Sequence, residues 1–194
     1  YKRQIVRFKH LALSMGIQEL TAIATAAVRT ASDGQDFCKE VMEKTGQFIA
    51  VISGEEEAKL SAQGVLTGWP GAYGLVCDLG GTSLELAEIS NGKVGKCASS
   101  ELGPLKLMDI SKKKERLEFI KSELSDLAKS FSPRNNRLFL VGGSWRALAR
   151  IDMERCDHPL KVLHEYRMGK KTIKDLKNFI KDQGLENLAR QCSI

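Results

Sequence analysis

The sequence predicts an α/β fold, and three observations carry that prediction. Apolar residues recur at helical spacing over 5–15, 33–44 and 117–131. Short apolar or β-branched runs stand between or after them, at 20–28, 48–52, 75–77 and 138–141. Asn91-Gly92 then joins two alternating runs in the manner of a hairpin. With 194 residues, 42% hydrophobic and 28% charged, the chain has the composition of one large or two small globular domains.

Taken in order, Ile5, Phe8, Leu11, Ala12 and Met15 share one helical face, and Gly16 supplies the stop. Residues 20–28 read as a buried strand ending near Arg29. Ser32-Asp33 opens a helix to about Lys44, with Phe37 and Val41 on one face and Gly46 ending it. Residues 48–52 form a second strand, and Ser53 begins a helix to about Gly64. Such alternation implies crossover connections and a parallel sheet, here a thin one. Gly68-Trp69-Pro70-Gly71 is the sharpest break, so domains are expected at residues 1–68 and 69–194. Beyond it, runs at 75–77, 83–89 and 94–99, joined by Gly80-Gly81 and Asn91-Gly92, read as an antiparallel meander. Leu117, Ile120, Leu124, Leu127 and Phe131 mark a long amphipathic helix. A strand at 138–141, a helix at 145–151 and helical patterns around 173–180 and 185–189 complete the chain.

Composition narrows the function classes. The net charge of +6, from 30 Lys+Arg against 24 Asp+Glu, favours a polyanionic partner only weakly. Aromatic residues are 6% and never interleave with basic ones, so no specific nucleic-acid binding is expected. No apolar run nears the roughly 18 residues of a membrane span, and no signal core follows Tyr1-Lys2-Arg3-Gln4. The five cysteines are odd in number and form no C-x-x-C, which reads as reduced thiols in a cytoplasmic protein. His10, His158 and His164 are too scattered for a metal cluster or a histidine-centred triad.

Four stretches could carry chemistry. In Asp78-Leu79-Gly80-Gly81-Thr82-Ser83-Leu84-Glu85, a strand delivers a carboxylate to a glycine turn whose backbone N–H groups can form an anion nest. Thr82 and Ser83 add hydroxyls, and Asp78 and Glu85 can face one cavity and suit a hydrated Mg²⁺. A plain hairpin turn with polar ends fits the same octet. Ser53 and Glu56 match a capping box, and Glu57 falls one step later, on the side of Leu60, Ser61 and Gly64. That side is either the rim of a core or a cleft. Gly142-Gly143-Ser144 lies between strand and helix, where an anion is favoured or where tight packing alone needs glycine. Arg29 ends its strand as a phosphate ligand or as a surface arginine. Lys112-Lys113-Lys114 and the group of Lys161, Arg167, Lys170 and Lys171 read as solvated faces.

In this order the pieces resemble the Ppx/GppA family of exopolyphosphatases and guanosine pentaphosphate phosphohydrolases. Ala24-Thr25-Ala26-Ala27-Val28-Arg29 is similar to its A-T-x-A-x-R stretch, and Ile52-Ser53-Gly54-Glu55-Glu56-Glu57-Ala58 to its I-S-G-x-E-E-A stretch. The octet from Asp78 to Glu85 is similar to its D-x-G-G-G-S-x-E loop, with Thr82 in place of the third glycine. Val141-Gly142-Gly143-Ser144 is similar to its later V-G-G-T-like loop, with Ser144 for threonine and Trp145 following. The resemblance implies an actin-like ATPase fold of two ribonuclease-H-like lobes, with part of the first lobe at 1–68 and most of the second at 69–194. The family's first phosphate loop, D-x-G-S-N, is not found, so the chain is expected to be a fragment beginning after it.

The implied roles follow from the same resemblance. Glu57 activates the attacking water, and Asp78 and Glu85 hold Mg²⁺ and water. Arg29, Gly80, Gly81, Thr82, Ser83, Gly142, Gly143 and Ser144 bind phosphate. The implied activity is Mg²⁺-dependent hydrolysis of terminal phosphoanhydride bonds, releasing phosphate from inorganic polyphosphate or guanosine pentaphosphate between the two glycine loops. The alternative is a module that binds a nucleotide or alarmone without turnover. The family often dimerises, so a homodimer is a further expectation.

Overall fold

The computed structural model describes residues 2–131, 137–184 and 188. The helical pattern around 185–189 lies outside them, apart from Leu188. The chain divides into two compact units, Tyr1–Phe139 and Leu140–Ile194.

The first unit opens with helix α1 (Lys2–Ser14), which ends before Gly16 at φ 79°. Strand β1 (Ala22–Ala24) is shorter than the 20–28 run predicted. Residues Ala26–Arg29 instead form helical turn α2, because alanine favours helix and the Thr25 carbonyl accepts from Val28 and Arg29 N–H. Arg29 therefore closes a helical turn rather than a buried strand. Helix α3 (Gly34–Thr45) follows, and Asp33 precedes it without a side-chain cap bond. Gly46, at φ 64°, ends it. Strand β2 (Ile49–Val51) pairs in parallel with β1, in register Ala22–Ile49, Ile23–Ala50 and Ala24–Val51.

Helix α4 (Gly54–Gly68) runs past Gly64, where the stop was expected. A single interior glycine costs about 1 kcal/mol, too little to end a helix anchored by buried Ala58 and Ala62. Strands β3 (Gly74–Leu79), β4 (Leu84–Ser90) and β5 (Lys93–Ser100) form the predicted antiparallel meander. Asn91 and Gly92 take φ 52° and 71° in the β4–β5 turn, the left-handed pair a two-residue hairpin requires. Helix α5 (Pro104–Met108), absent from the sequence reading, follows the meander with Pro104 at its start. Helix α6 (Lys113–Ser130) and strand β6 (Leu138–Val141) come next, and the sheet order is β5-β4-β3-β6.

The core that positions the site lies between α4 and this sheet. Helix α4 crosses β3, β4 and β5. Side chains alternate along a strand, so Val76, Ala87 and Ile89 share one face with Asp78 and Glu85. Ser61 of α4 bonds to Asp78, which fixes that face toward the helix. Val76 and Ala87 are each 1% exposed and Ile89 is 2% exposed. Truncating Ile89 to alanine costs about 3 kcal/mol. Trp69 and Phe139 add an edge-to-face contact at 5.6 Å.

In the second unit, helices α7 (Gly143–Arg155) and α8 (Lys170–Gln183) bury Ile151, Leu176 and Leu188, with Leu148, Phe179 and Ile180 packed around them. Asp152, 1% exposed, accepts from Arg155 Nε at 3.0 Å and Nη2 at 2.6 Å, and from the Tyr166 hydroxyl at 2.8 Å. Burial and the bond to Asp152 push the Tyr166 phenol up. The His158 ring meets Tyr166 edge to face at 5.2 Å.

Candidate functional site

The site is assembled at one end of α4, where the helix start meets the ends of β3 and β4. Ser53 builds that start. Its hydroxyl accepts from the Glu56 N–H at 3.2 Å, and the Glu56 carboxylate accepts from the Ser53 N–H at 2.8 Å. This is the predicted capping box. The Ser53 backbone and then its hydroxyl hold the Glu56 carboxyl below the usual range. Glu56 is thus committed to the helix end, which leaves Glu57 as the carboxylate turned elsewhere.

Glu57 turns toward Arg29. The guanidinium donates to the Ile52 carbonyl at 2.7 Å and lies 3.4 Å from Glu57 Oε2, with side-chain exposures of 26% and 20%. Gly54 explains how close the helix start comes to the sheet. A Cβ there would lie 2.4 Å from Ser99 Cβ and Oγ on β5, and 3.7 Å from Arg29 Nη2. Only glycine allows this approach.

On the sheet, Asp78 and Glu85 are direct partners in the β3–β4 ladder, so their carboxylates stand side by side on one face. Ser61 Oγ donates to Asp78 Oδ2. Ser99 Oγ donates to Glu85 Oε1 at 3.0 Å. Glu85 is 1% exposed, and no ion pair reaches it among the described residues. Burial pushes its carboxyl up, the charges of Glu57 and Asp78 push the same way, and the hydrogen-bonding side chains of Ser83 and Ser99 oppose them. Glu57 and Asp78 are therefore each within electrostatic reach of Glu85.

The turn beyond the carboxylates differs in detail from the nest predicted. Gly80 N–H donates to the Ser83 carbonyl at 3.0 Å and is spent inside the turn. The Gly81 carbonyl accepts from Leu105 N–H at 2.8 Å, which ties the start of α5 to the turn. No described hydrogen bond occupies the amides of Gly81, Thr82 and Ser83. Neither glycine nor Thr82 has a positive φ, so threonine in place of a third glycine imposes no backbone strain. The Ser83 side chain is turned to buried Glu85.

Gly142, Gly143 and Ser144 belong to the second unit. Gly142 precedes α7 at φ 113°, a conformation that favours glycine, and Gly143 has open space where a Cβ would stand. Gly143 and Ser144 are exposed, and no side chain caps the helix. The first unit thus brings together Arg29, Glu57, Asp78, Glu85 and the Gly80–Ser83 turn. Sequence reasoning missed Ser61 and Ser99. Neither lies in a motif, and the available signal was spacing: Ser61 follows Glu57 by one helical turn, and Ser99 stands on the strand paired with Glu85.

A family model, the Ppx/GppA phosphatase family, matches residues 3–190. This chain belongs to that family. The fold is that of solved phosphatases of this family. An exopolyphosphatase structure from Cytophaga hutchinsonii superposes with a TM-score of 0.77 at 21% identity, over 90% of this chain and 60% of that one. The Ppx/GppA family member of Aquifex aeolicus superposes with a TM-score of 0.74 at 20% identity, over 99% of this chain and 65% of that one. In sequence, Exopolyphosphatase 1 of Mycobacterium tuberculosis is 38% identical over 85 residues, which are 43% of this chain and 25% of that protein. The chain thus matches only part of the length of these relatives. No helix among the described residues is long and apolar enough to cross a membrane.

Proposed function

We propose that the protein hydrolyses terminal phosphoanhydride bonds of inorganic polyphosphate in a Mg²⁺-dependent reaction that releases phosphate. Guanosine pentaphosphate presents the same terminal group and is the second substrate class. The observation that carries the reading is the convergence of Glu57 and Asp78 on Glu85 beside a turn whose Gly81 and Thr82 amides make no described hydrogen bond. Membership of the family and the exopolyphosphatase names of its relatives support the reaction class.

The residues fit the ion. Glu85 is a buried carboxylate with no cation paired to it among the described residues, side by side with Asp78. Among the described residues, no group of three or more His, Cys, Asp or Glu is arranged as a metal cage. Mg²⁺ does not demand one, since it keeps several waters and takes one or two carboxylates. When bound, it supplies charge stabilisation to phosphate oxygens. Glu57 orients a water and takes its proton as the water oxygen bonds to the terminal phosphorus and the bridging oxygen departs with the shortened chain. Arg29, tethered to the Ile52 carbonyl, sets the direction of the Glu57 carboxylate. The free amides of Gly81 and Thr82 receive phosphate oxygens.

The test is phosphate release from long-chain polyphosphate by the full-length protein. Glu57→Gln is expected to lower kcat by about 100-fold or more without moving the thermal midpoint. Undiminished turnover in that variant removes Glu57 as the base.

A further inference from the structure

Two hydroxyls at the site are unclaimed by any role so far. Ser61 donates to Asp78 Oδ2 from α4, and Ser99 donates to Glu85 Oε1 at 3.0 Å from β5. A hydroxyl donor restricts where a carboxylate points but leaves its charge in place. An arginine partner would fix the direction and cancel the charge. The protein uses that second device at Asp152, where Arg155 makes two hydrogen bonds to one oxygen. At Asp78 and Glu85 it does not, although Glu85 is equally buried. Asp78 Oδ1 keeps no hydrogen-bond partner among the described residues.

The placement of Ser99 is tightly constrained. Its Cβ and Oγ stand where a Gly54 side chain would begin, 2.4 Å from that position. The start of α4 therefore packs directly against the Ser99 side chain, whose hydroxyl donates a hydrogen bond to Glu85. Ser61 lies one helical turn after Glu57, so a single rigid helix sets both the base and the direction of Asp78.

We propose that Ser61 and Ser99 are positioning residues that orient Asp78 and Glu85 toward a shared divalent cation while leaving both carboxylates charged. The inference rests on the reading of the site given above. Partners that orient metal-binding groups typically change affinity by about 10- to 100-fold when removed. A purely architectural serine would change stability and leave metal affinity alone.

The experiment titrates Mn²⁺, as a paramagnetic substitute for Mg²⁺, into the full chain and follows free Mn²⁺ by electron paramagnetic resonance. Ser61→Ala and Ser99→Ala are each expected to weaken binding about tenfold. Ser61→Thr, which keeps the hydroxyl, is expected to bind as the unaltered protein does and guards against misfolding of the alanine variant. Alanine variants that bind within twofold of the unaltered protein overturn the inference and leave the site reading intact. An unaltered protein that binds no Mn²⁺ overturns both.

Discussion

Glu85 and Asp152 are equally hidden, each 1% exposed, and the protein treats their charges in opposite ways. Asp152 sits in the second unit with Arg155 bonded twice to one oxygen and Tyr166 bonded to the other. Glu85 sits in the first unit with a serine hydroxyl at 3.0 Å, two further carboxylates within electrostatic reach and no cation paired to it among the described residues. A buried charge without a counterion is costly, and a fold keeps one only where something else compensates. The comparison therefore separates an internal ion pair that secures structure from a buried carboxylate that, under the proposed function, takes its cation from outside.

The largest expected effect tests the two sides together. Arg155→Ala strands the Asp152 charge and should cost about 3 kcal/mol in urea unfolding, with the partial exposure of the guanidinium keeping it from costing more. Glu85→Gln removes a buried charge that has hydroxyl partners but no cation beside it among the described residues, so at neutral pH and without metal it should leave stability unchanged or raise it by about 1 kcal/mol. Equal destabilisation by both variants would erase the contrast. A smaller effect belongs to Tyr166→Phe, which removes one donor to Asp152 and should cost about 1 kcal/mol. Absorbance titration should show that this variant loses a phenol that ionises above the ordinary tyrosine range.

The pH dependence sharpens the Glu85 side. The folded protein holds the Glu85 proton to a higher pH than the unfolded chain does. Its contribution is therefore fully present below the ordinary carboxylate range and is lost as pH rises through the raised folded value. Metal-free protein should lose stability over that window relative to Glu85→Gln, read by urea unfolding at several pH values. The same profile in both proteins would assign the burial penalty to another group.

Local signals in the sequence were enough for much of this. The capping box at Ser53, the hairpin at Asn91-Gly92 and the alternation of β3 to β5 are short-range patterns, and the structure realises each of them. The exchange of predicted strand for helix at Ala26–Arg29 turns on a local preference, alanine's for helix, with the Thr25 carbonyl taking the Val28 and Arg29 N–H groups. A run of alanine and valine is compatible with both states, and the chain needs only three residues to pair with β2. Glu57, Asp78, Glu85 and Arg29 could be named because motifs mark them. Ser61 and Ser99 could not, because a serine on a helix or edge strand is ordinary until the fold sets a carboxylate beside it. The loss of the Gly80 amide to its own turn was equally invisible, since glycine pairs look alike whether or not their N–H groups are occupied.

Calorimetric titration of Mg²⁺ into the full chain and into Glu85→Gln tests most directly whether the unneutralised charge belongs to a cation site. The account predicts saturable binding in the unaltered protein and none in the variant. Equal binding in both would mean that Glu85 is not a ligand and that the ion, if it binds, is held elsewhere.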